Sequence, residues 1–430
     1  MNQSIDARRE DRPVAGAGPL DRWLRQRLLD HMARLRHGCL CIEDPMGRTV
    51  VGQDAPGATT VHVRVHDLRF YRALALNGSV GAGEAFGDGH WDSDDLVGLV
   101  RLLVRNRALL DGMEGGAARL GGMAMRALHA LRPNDRRGAR RNIAAHYDLG
   151  NDFFELFLSP DMMYSSAMWR DGADTLEQAS ARKLDAICRK LGLGPGMNVV
   201  EIGTGWGGFA LHAARHFGCH VTTTTISQAQ YALACERVAA AGLKDRVRVL
   251  CRDYRDLEGR YDRLVSIEMI EAIGAAQLPV YFAALERLLA DDGLALVQAI
   301  TIEDHRYEQA LASVDFIKRH VFPGSFIPSV EAMLVAKRRT SDLALVDLED
   351  FGLSYARTLE AWRHSLLERR ADALTHGRDE RFLRMWLFYL AYCEGGFRER
   401  SIGVSQLLFA RPGARPRGMR WVDRDAGDDA

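Results

Sequence analysis

The stretch Val199-Val200-Glu201-Ile202-Gly203-Thr204-Gly205-Trp206-Gly207-Gly208 decides the fold. It predicts an apolar strand that runs into a glycine turn, and the helical spacing of Phe209–His216 follows directly. Glycines in such a turn let the backbone approach a ligand, because no side chain intervenes and positive φ is open to them. The amides of the next helix's first turn then face that ligand. The spacing is G-x-G-x-G-G rather than the G-x-G-x-x-G of a nicotinamide site. A second strand, His220–Thr225, leads into Ile226-Ser227-Gln228 instead of the lone acid that a nicotinamide ribose requires. The pattern favours S-adenosylmethionine, with a dinucleotide as the competing ligand.

Outward from this stretch, residues 180–302 alternate helix and strand. A helix is expected at 178–192, with strands near 198–202, 219–225, 247–251, 262–267 and 293–300. Such alternation predicts an α/β, doubly wound, Rossmann-like parallel sheet with its ligand at the carboxyl ends of the strands. After the fifth strand, residues 304–337 form an insertion rich in apolar side chains, among them Phe316, Phe322 and Phe326. It reads as core or as the wall of a channel for an apolar substrate. Residues 1–18 are expected to be disordered, and 19–112 to form a smaller N-terminal α+β domain associated with lipid or membrane. A basic linker spans 113–141, the catalytic domain 142–412 and a polar tail 413–430.

At 430 residues the chain is long enough for two cores. Lys+Arg and Asp+Glu both number 57, so any electrostatic attraction must be local, and no nucleic-acid partner is expected. The local excess is Arg126, Arg132, Arg136, Arg137, Arg140 and Arg141 against Asp135, which reads as a solvated linker or as a contact with an anionic membrane surface. No apolar run reaches the roughly 18 residues of a membrane span, and the polar N-terminus lacks the apolar core of a signal peptide. The expected location is cytoplasmic, peripheral at the inner face of the cell membrane. The seven cysteines suggest reduced thiols. Cys39 and Cys41 read as positions of one strand rather than as half of a zinc site, and no metal is expected. A homodimer is compatible with the sequence.

Several motifs occur in order. They are Gly83-Glu84-Ala85-Phe86-Gly87-Asp88-Gly89-His90-Trp91, Asn142-Ile143-Ala144-Ala145-His146-Tyr147-Asp148, Met163-Tyr164-Ser165-Ser166-Ala167, Thr225-Ile226-Ser227-Gln228-Ala229-Gln230, Asp253-Tyr254-Arg255-Asp256, Glu268-Met269-Ile270-Glu271-Ala272-Ile273-Gly274 and Phe322-Pro323-Gly324. Together with the Val199–Gly208 run they resemble the cyclopropane-fatty-acyl-phospholipid synthase family, over roughly residues 20–412. The resemblance implies a transfer from S-adenosylmethionine to a cis double bond of a phospholipid acyl chain, closing a cyclopropane ring.

It also implies site residues. Cofactor contacts fall on Tyr164, Ser165, Glu201, Gly203, Gly205, Trp206, Gly207, Thr225, Ile226, Ser227, Gln230, Asp253 and Tyr254, with His146 and Tyr147 closing over the cofactor. A bound bicarbonate, the family's base, would be held by Glu271, Tyr355, Gln298, Ile300 and Ser166. Cys393 aligns with a cysteine once proposed as nucleophile, although sulfonium chemistry needs no covalent intermediate and a packing role fits it better. Three departures stand out: Ser166 replaces Cys, Gln298 replaces His and Ala272 replaces a second His. Gln298 can still donate to and accept from an anion but cannot shuttle protons. This pattern looks like the plant-type branch. Two alternatives share the fold: methyl transfer that ends in a methylene- or methyl-branched chain, and a non-catalytic lipid-binding protein. A small-molecule methyltransferase would need neither the N-terminal domain nor the apolar insertion.

Overall fold

The computed structural model describes residues 18–53, 60–111, 150–170, 172 and 174–414. The Arg126–Arg141 run and the His146–Tyr147 pair lie outside those residues, as do the expected disordered N-terminus and polar tail apart from Gly18, Gly413 and Ala414. The chain divides into two compact units. One takes Met1–Pro160, Ile300–Val330 and Phe351–Val404; the other takes Asp161–Ala299, Glu331–Asp350 and Ser405–Ala430. The apolar insertion is thereby shared between the two.

In the first unit, β1 (Gly38–Asp44), β2 (Gly47–Gln53), β3 (Thr60–Val65) and β4 (Trp91–Ser93) form a sheet of order β2-β1-β3-β4. Strand β1 pairs antiparallel with β2 and parallel with β3. Cys39 and Cys41 are positions of β1, as the C-x-C spacing predicts, and both are buried. The helix Glu380–Arg398 packs against the helices Gly352–Glu368, Leu96–Arg105 and Arg69–Gly87. Phe316 of the insertion is fully buried, with its ring 4.8 Å from that of Phe388. The approach depends on Gly83, where a Cβ would lie 2.3 Å from the Phe316 ring. This central aromatic of the insertion is therefore packed core.

The second unit is built on a seven-stranded sheet. Its strands are β5 (Asn198–Ile202), β6 (His220–Thr225), β7 (Val247–Cys251), β8 (Tyr261–Ile267), β9 (Leu289–Ile302), β10 (Ala344–Asp350) and β11 (Ile402–Ala410), in the order β10-β11-β9-β8-β5-β6-β7. Strands β5 to β9 pair in parallel, matching the five strands read from the sequence. The all-parallel expectation needs correcting, because β10 and β11 extend the sheet as an antiparallel pair. Residues on both faces of β5 are buried, Val199 and Val200 alike, as a sheet covered by helices on two sides demands. Val199 joins Leu184, Ile187, Phe209 and Ala213 in one apolar cluster under the helices Leu176–Lys190 and Gly208–Phe217.

The chain winds outward from β5 to β6 and β7, then returns to place β8 on the other side of β5. The strand order reverses there, and in open α/β sheets the crevice at the carboxyl ends beside such a reversal is where ligands bind.

Candidate active site

Three loops converge at that crevice within the second unit. The turn after β5 uses left-handed backbone at Gly203 (φ 101°), Gly205 (φ 52°) and Gly207 (φ 88°), and Gly207 caps the helix Gly208–Phe217. A Cβ on Gly205 would have nothing within 4 Å, so this turn borders open space that a ligand can enter. The turn after β8 lies alongside: a Cβ on Gly203 would sit 3.1 Å from Met269. The third loop carries Met163 to Ser166 and covers the helix start, since a Cβ on Gly208 would meet Met163 Sδ at 2.5 Å. The glycine turn and the Tyr164–Ser166 loop of the sequence reading thus adjoin each other, and the turn that carries Met269 lies beside Gly203.

The polar groups beneath are paired. Thr223 Oγ1 lies 2.6 Å from Glu201 Oε2 and 2.7 Å from Thr204 Oγ1. One hydroxyl has one proton to give, so Thr223 donates to Glu201 Oε2 and accepts from Thr204. At the end of β6, Thr225 Oγ1 donates to Gln230 Oε1 at 2.8 Å and Ser227 caps the next helix through the Gln230 amide. Ile226 lies between them, partly exposed. Arg237 donates to the Trp206 carbonyl at 2.8 Å, which ties the glycine turn to that helix. Asp253 is held by Arg255 through two side-chain contacts of 2.6 and 2.8 Å. Burial pushes the Tyr254 phenol up to about 12, and its ring meets Tyr281 edge-on.

Two residues central to the site escaped sequence reasoning. Lys183 is fully buried and donates to Ser165 Oγ at 2.9 Å. Burial pulls its pKa down to about 8, against the raising charges of Asp161, Glu268 and Glu201. The available signal was its place on the buried stripe of its helix with Ala179, Leu184 and Ile187. The other is Glu268, directly after β8 with φ 49°, a conformation costly for a residue with a Cβ. Its Oε1 accepts from the Ser166 backbone N–H at 2.9 Å and from Gln298 Nε2 at 2.8 Å. Gln298 is in turn oriented by Gln406, whose Nε2 donates to Gln298 Oε1 at 3.0 Å.

These contacts bear on the expected bicarbonate. The Ser166 and Gln298 donors assigned to it both point at a protein carboxylate, and a second anion sharing them would face like-charge repulsion. Bicarbonate does not fit at these two donors. Ile300, Tyr355 and Cys393 belong to the other unit. There Tyr355 is buried, with its ring stacked on Phe397 at 4.4 Å. Burial pushes the Cys393 thiol up, leaving it neutral and suited to packing rather than attack.

A family model described as mycolic acid cyclopropane synthetase matches residues 134–407. The chain belongs to this family of S-adenosylmethionine-dependent methyltransferases. It is 38% identical to the tuberculostearic acid methyltransferase UfaA1 of Mycobacterium tuberculosis, over 85% of this chain and 86% of that one. It is 36% identical to the cyclopropane-fatty-acyl-phospholipid synthase of Escherichia coli, over 83% and 89%. The solved structure of mycolic acid cyclopropane synthase CmaA1 complexed with SAH and CTAB superposes with a TM-score of 0.59 at 30% identity, covering 63% of this chain and 98% of that one. The family therefore includes both cyclopropane synthases and other lipid methyltransferases.

The buried acid of β5 gives a pH test. Burial raises Glu201 from its ordinary 4.5 to about 8, so in that window the folded chain keeps a proton that the unfolded chain has lost. Stability from this group is complete below the unfolded value and is lost as pH rises through the folded one. Lys183, lowered from 10.5 to about 8, acts oppositely and only above that point. Thermal melts of the wild type and Glu201→Gln should therefore diverge between about pH 5 and pH 8, the wild type losing stability relative to the variant. Parallel curves would mean that Glu201 ionises normally.

Proposed function

We propose that the protein moves a one-carbon unit from S-adenosylmethionine onto the cis double bond of an unsaturated phospholipid acyl chain and closes a cyclopropane ring. The observation that carries the reading is the open, left-handed glycine turn beside the β8 carboxylates, in a chain of this family. When bound, S-adenosylmethionine supplies an electrophilic methyl group. Its holders on this chain are the Gly203–Gly207 turn, the Tyr164–Ser165 loop, Glu201, the Thr225–Gln230 segment and the Asp253–Tyr254 turn. An alkene is a weak nucleophile, so these residues must orient the donor and exclude water from the reacting carbon.

Glu271 remains a proposed member of the reaction centre. A second reading, methyl transfer that ends in a branched or methylene chain, is favoured by the likeness to UfaA1. Mass spectrometry of lipids from cells expressing the protein tests both. A gain of one CH2 on unsaturated chains without branched-chain fragmentation supports the ring; branched fragments support the second reading; unchanged lipids overturn both.

Reaching a mid-chain double bond requires contact with the lipid surface. Among the described residues no helix is long and apolar enough to cross a membrane. Peripheral attachment at the inner face of the cell membrane, through the arginines near residue 136, is the proposed alternative. Changing Arg136, Arg137, Arg140 and Arg141 to Gln should weaken binding to anionic vesicles, most at low salt, since each basic residue near such a surface contributes about 1 kcal/mol. Cofactor affinity should not change. Equal vesicle sedimentation at two salt concentrations would reduce the run to a linker.

A further inference from the structure

We propose that the Glu268 carboxylate is the base of this enzyme, standing where the family resemblance puts bicarbonate. The inference rests on the alkene-alkylation reading above and names the group that completes it. Its support is geometric. Glu268 follows β8 at the strand-order reversal, next to the glycine turn. Its backbone N–H donates to the Gln298 carbonyl at 2.7 Å while its Oε1 receives the Gln298 amide and the Ser166 N–H, so both ends of the residue are fixed. Gln298 and Ser166 are fully buried, and Gln406, also fully buried, locks the Gln298 amide. The backbone accepts φ 49° at a side-chain-bearing residue to hold this arrangement, and strain of that kind clusters where geometry serves chemistry.

The chemistry asks for a fixed anion and little basicity. Attack of the alkene's π pair on the methyl carbon forms a C–C bond, breaks the C–S bond and leaves the S–C pair on sulfur. The other alkene carbon becomes electron-deficient, which makes the C–H bonds of the new methyl group strongly acidic. Glu268 takes one proton, the C–H pair closes onto the electron-deficient carbon, and the carboxylic acid later returns its proton to water. A carboxylate already accepting two hydrogen bonds is a weak base, but against so strong an acid it suffices.

The test uses the full-length protein with S-adenosylmethionine and vesicles of unsaturated phospholipid. In buffer stripped of carbon dioxide the wild type should turn over as fast as with bicarbonate added. Glu268→Gln should keep S-adenosylmethionine affinity in calorimetry but lose turnover by about a hundredfold or more. What product remains should shift toward chains that have gained both CH3 and OH, the result of water capturing the undeprotonated intermediate. A merely structural carboxylate would not move that ratio. Glu268→Gly should fold, since φ 49° suits glycine, and frees the Ser166 and Gln298 donors. Added bicarbonate or formate should then restore part of its activity.

Wild-type turnover that rises several-fold with bicarbonate overturns the proposal, as does a Glu268→Gln enzyme of near-normal rate and product ratio. Failure of the wild type to alkylate any lipid would instead overturn the functional reading, and this inference with it.

Discussion

Gly205→Val should weaken S-adenosylmethionine binding by about a hundredfold or more while the protein stays folded. At φ 52° the position lies in the left-handed region, where a β-branched residue costs about 1–3 kcal/mol. Its Cβ would touch no protein atom, so the fold has room for the change and the ligand bears the loss. Gly242→Val provides the control. Gly242 has φ 67° and equally open surroundings, but it follows the helix Gln228–Ala240 at the opposite end of the strands. It imposes similar strain without occupying the crevice. Calorimetric titration of both variants decides the matter: normal affinity in Gly205→Val would remove the glycine turn from the cofactor site.

Lys183→Met should destabilise the protein by about 3–5 kcal/mol at neutral pH, the cost of stranding buried charge without its partner. Met matches the length of the chain and keeps its packing, so the loss reports the ammonium. Without it, the Ser165 hydroxyl loses its donor and the carboxylates of Asp161 and Glu268 lose the cation that balances them. Because burial pulls the lysine down to about 8, the folded chain sheds above that point a proton that the unfolded chain keeps. The wild type therefore gains stability, and its margin over the variant should grow as pH rises past about 8. Denaturant unfolding at pH values on either side of 8 tests this. A loss that stays constant with pH would mean that only packing was removed.

The parallel half of the sheet was legible because β5 is an apolar run that ends in a glycine turn, β6 is a β-branched run that ends before Ser227-Gln228, and helical spacings alternate with the strands. Strand β10, Ala344–Asp350, was not. It lies at the sheet edge, is mostly exposed and spells ALVDLED, a pattern shared with many helices and loops. Strand β11 carries a buried apolar run, but its antiparallel pairing is a tertiary fact that no local spacing records. In the site, the sequence reading assigned Ser166 and Gln298 to a bound bicarbonate, and in the structure both donate to the Glu268 carboxylate. Glu268 stood three residues before Glu271 in the same motif, and nothing in its sequence context announces a positive φ. Lys183 looked like an ordinary helix-surface lysine because its burial depends on packing contributed by distant loops.

The order β10-β11-β9 has a consequence for how the protein is made. A ribosome releases β5 to β9 long before β11, which lies between β10 and β9 and is the last of the seven strands in the chain. Until Ile402–Ala410 emerges, the inner edge of β9 stays open, with unpaired amides beside an apolar run. Nascent chains therefore spend the translation of roughly a hundred residues with a template for intermolecular pairing on display. Stalling or proteolysis just upstream of β11 would yield fragments prone to aggregate. Expression with a chaperone that shields strand edges should raise the yield of native protein.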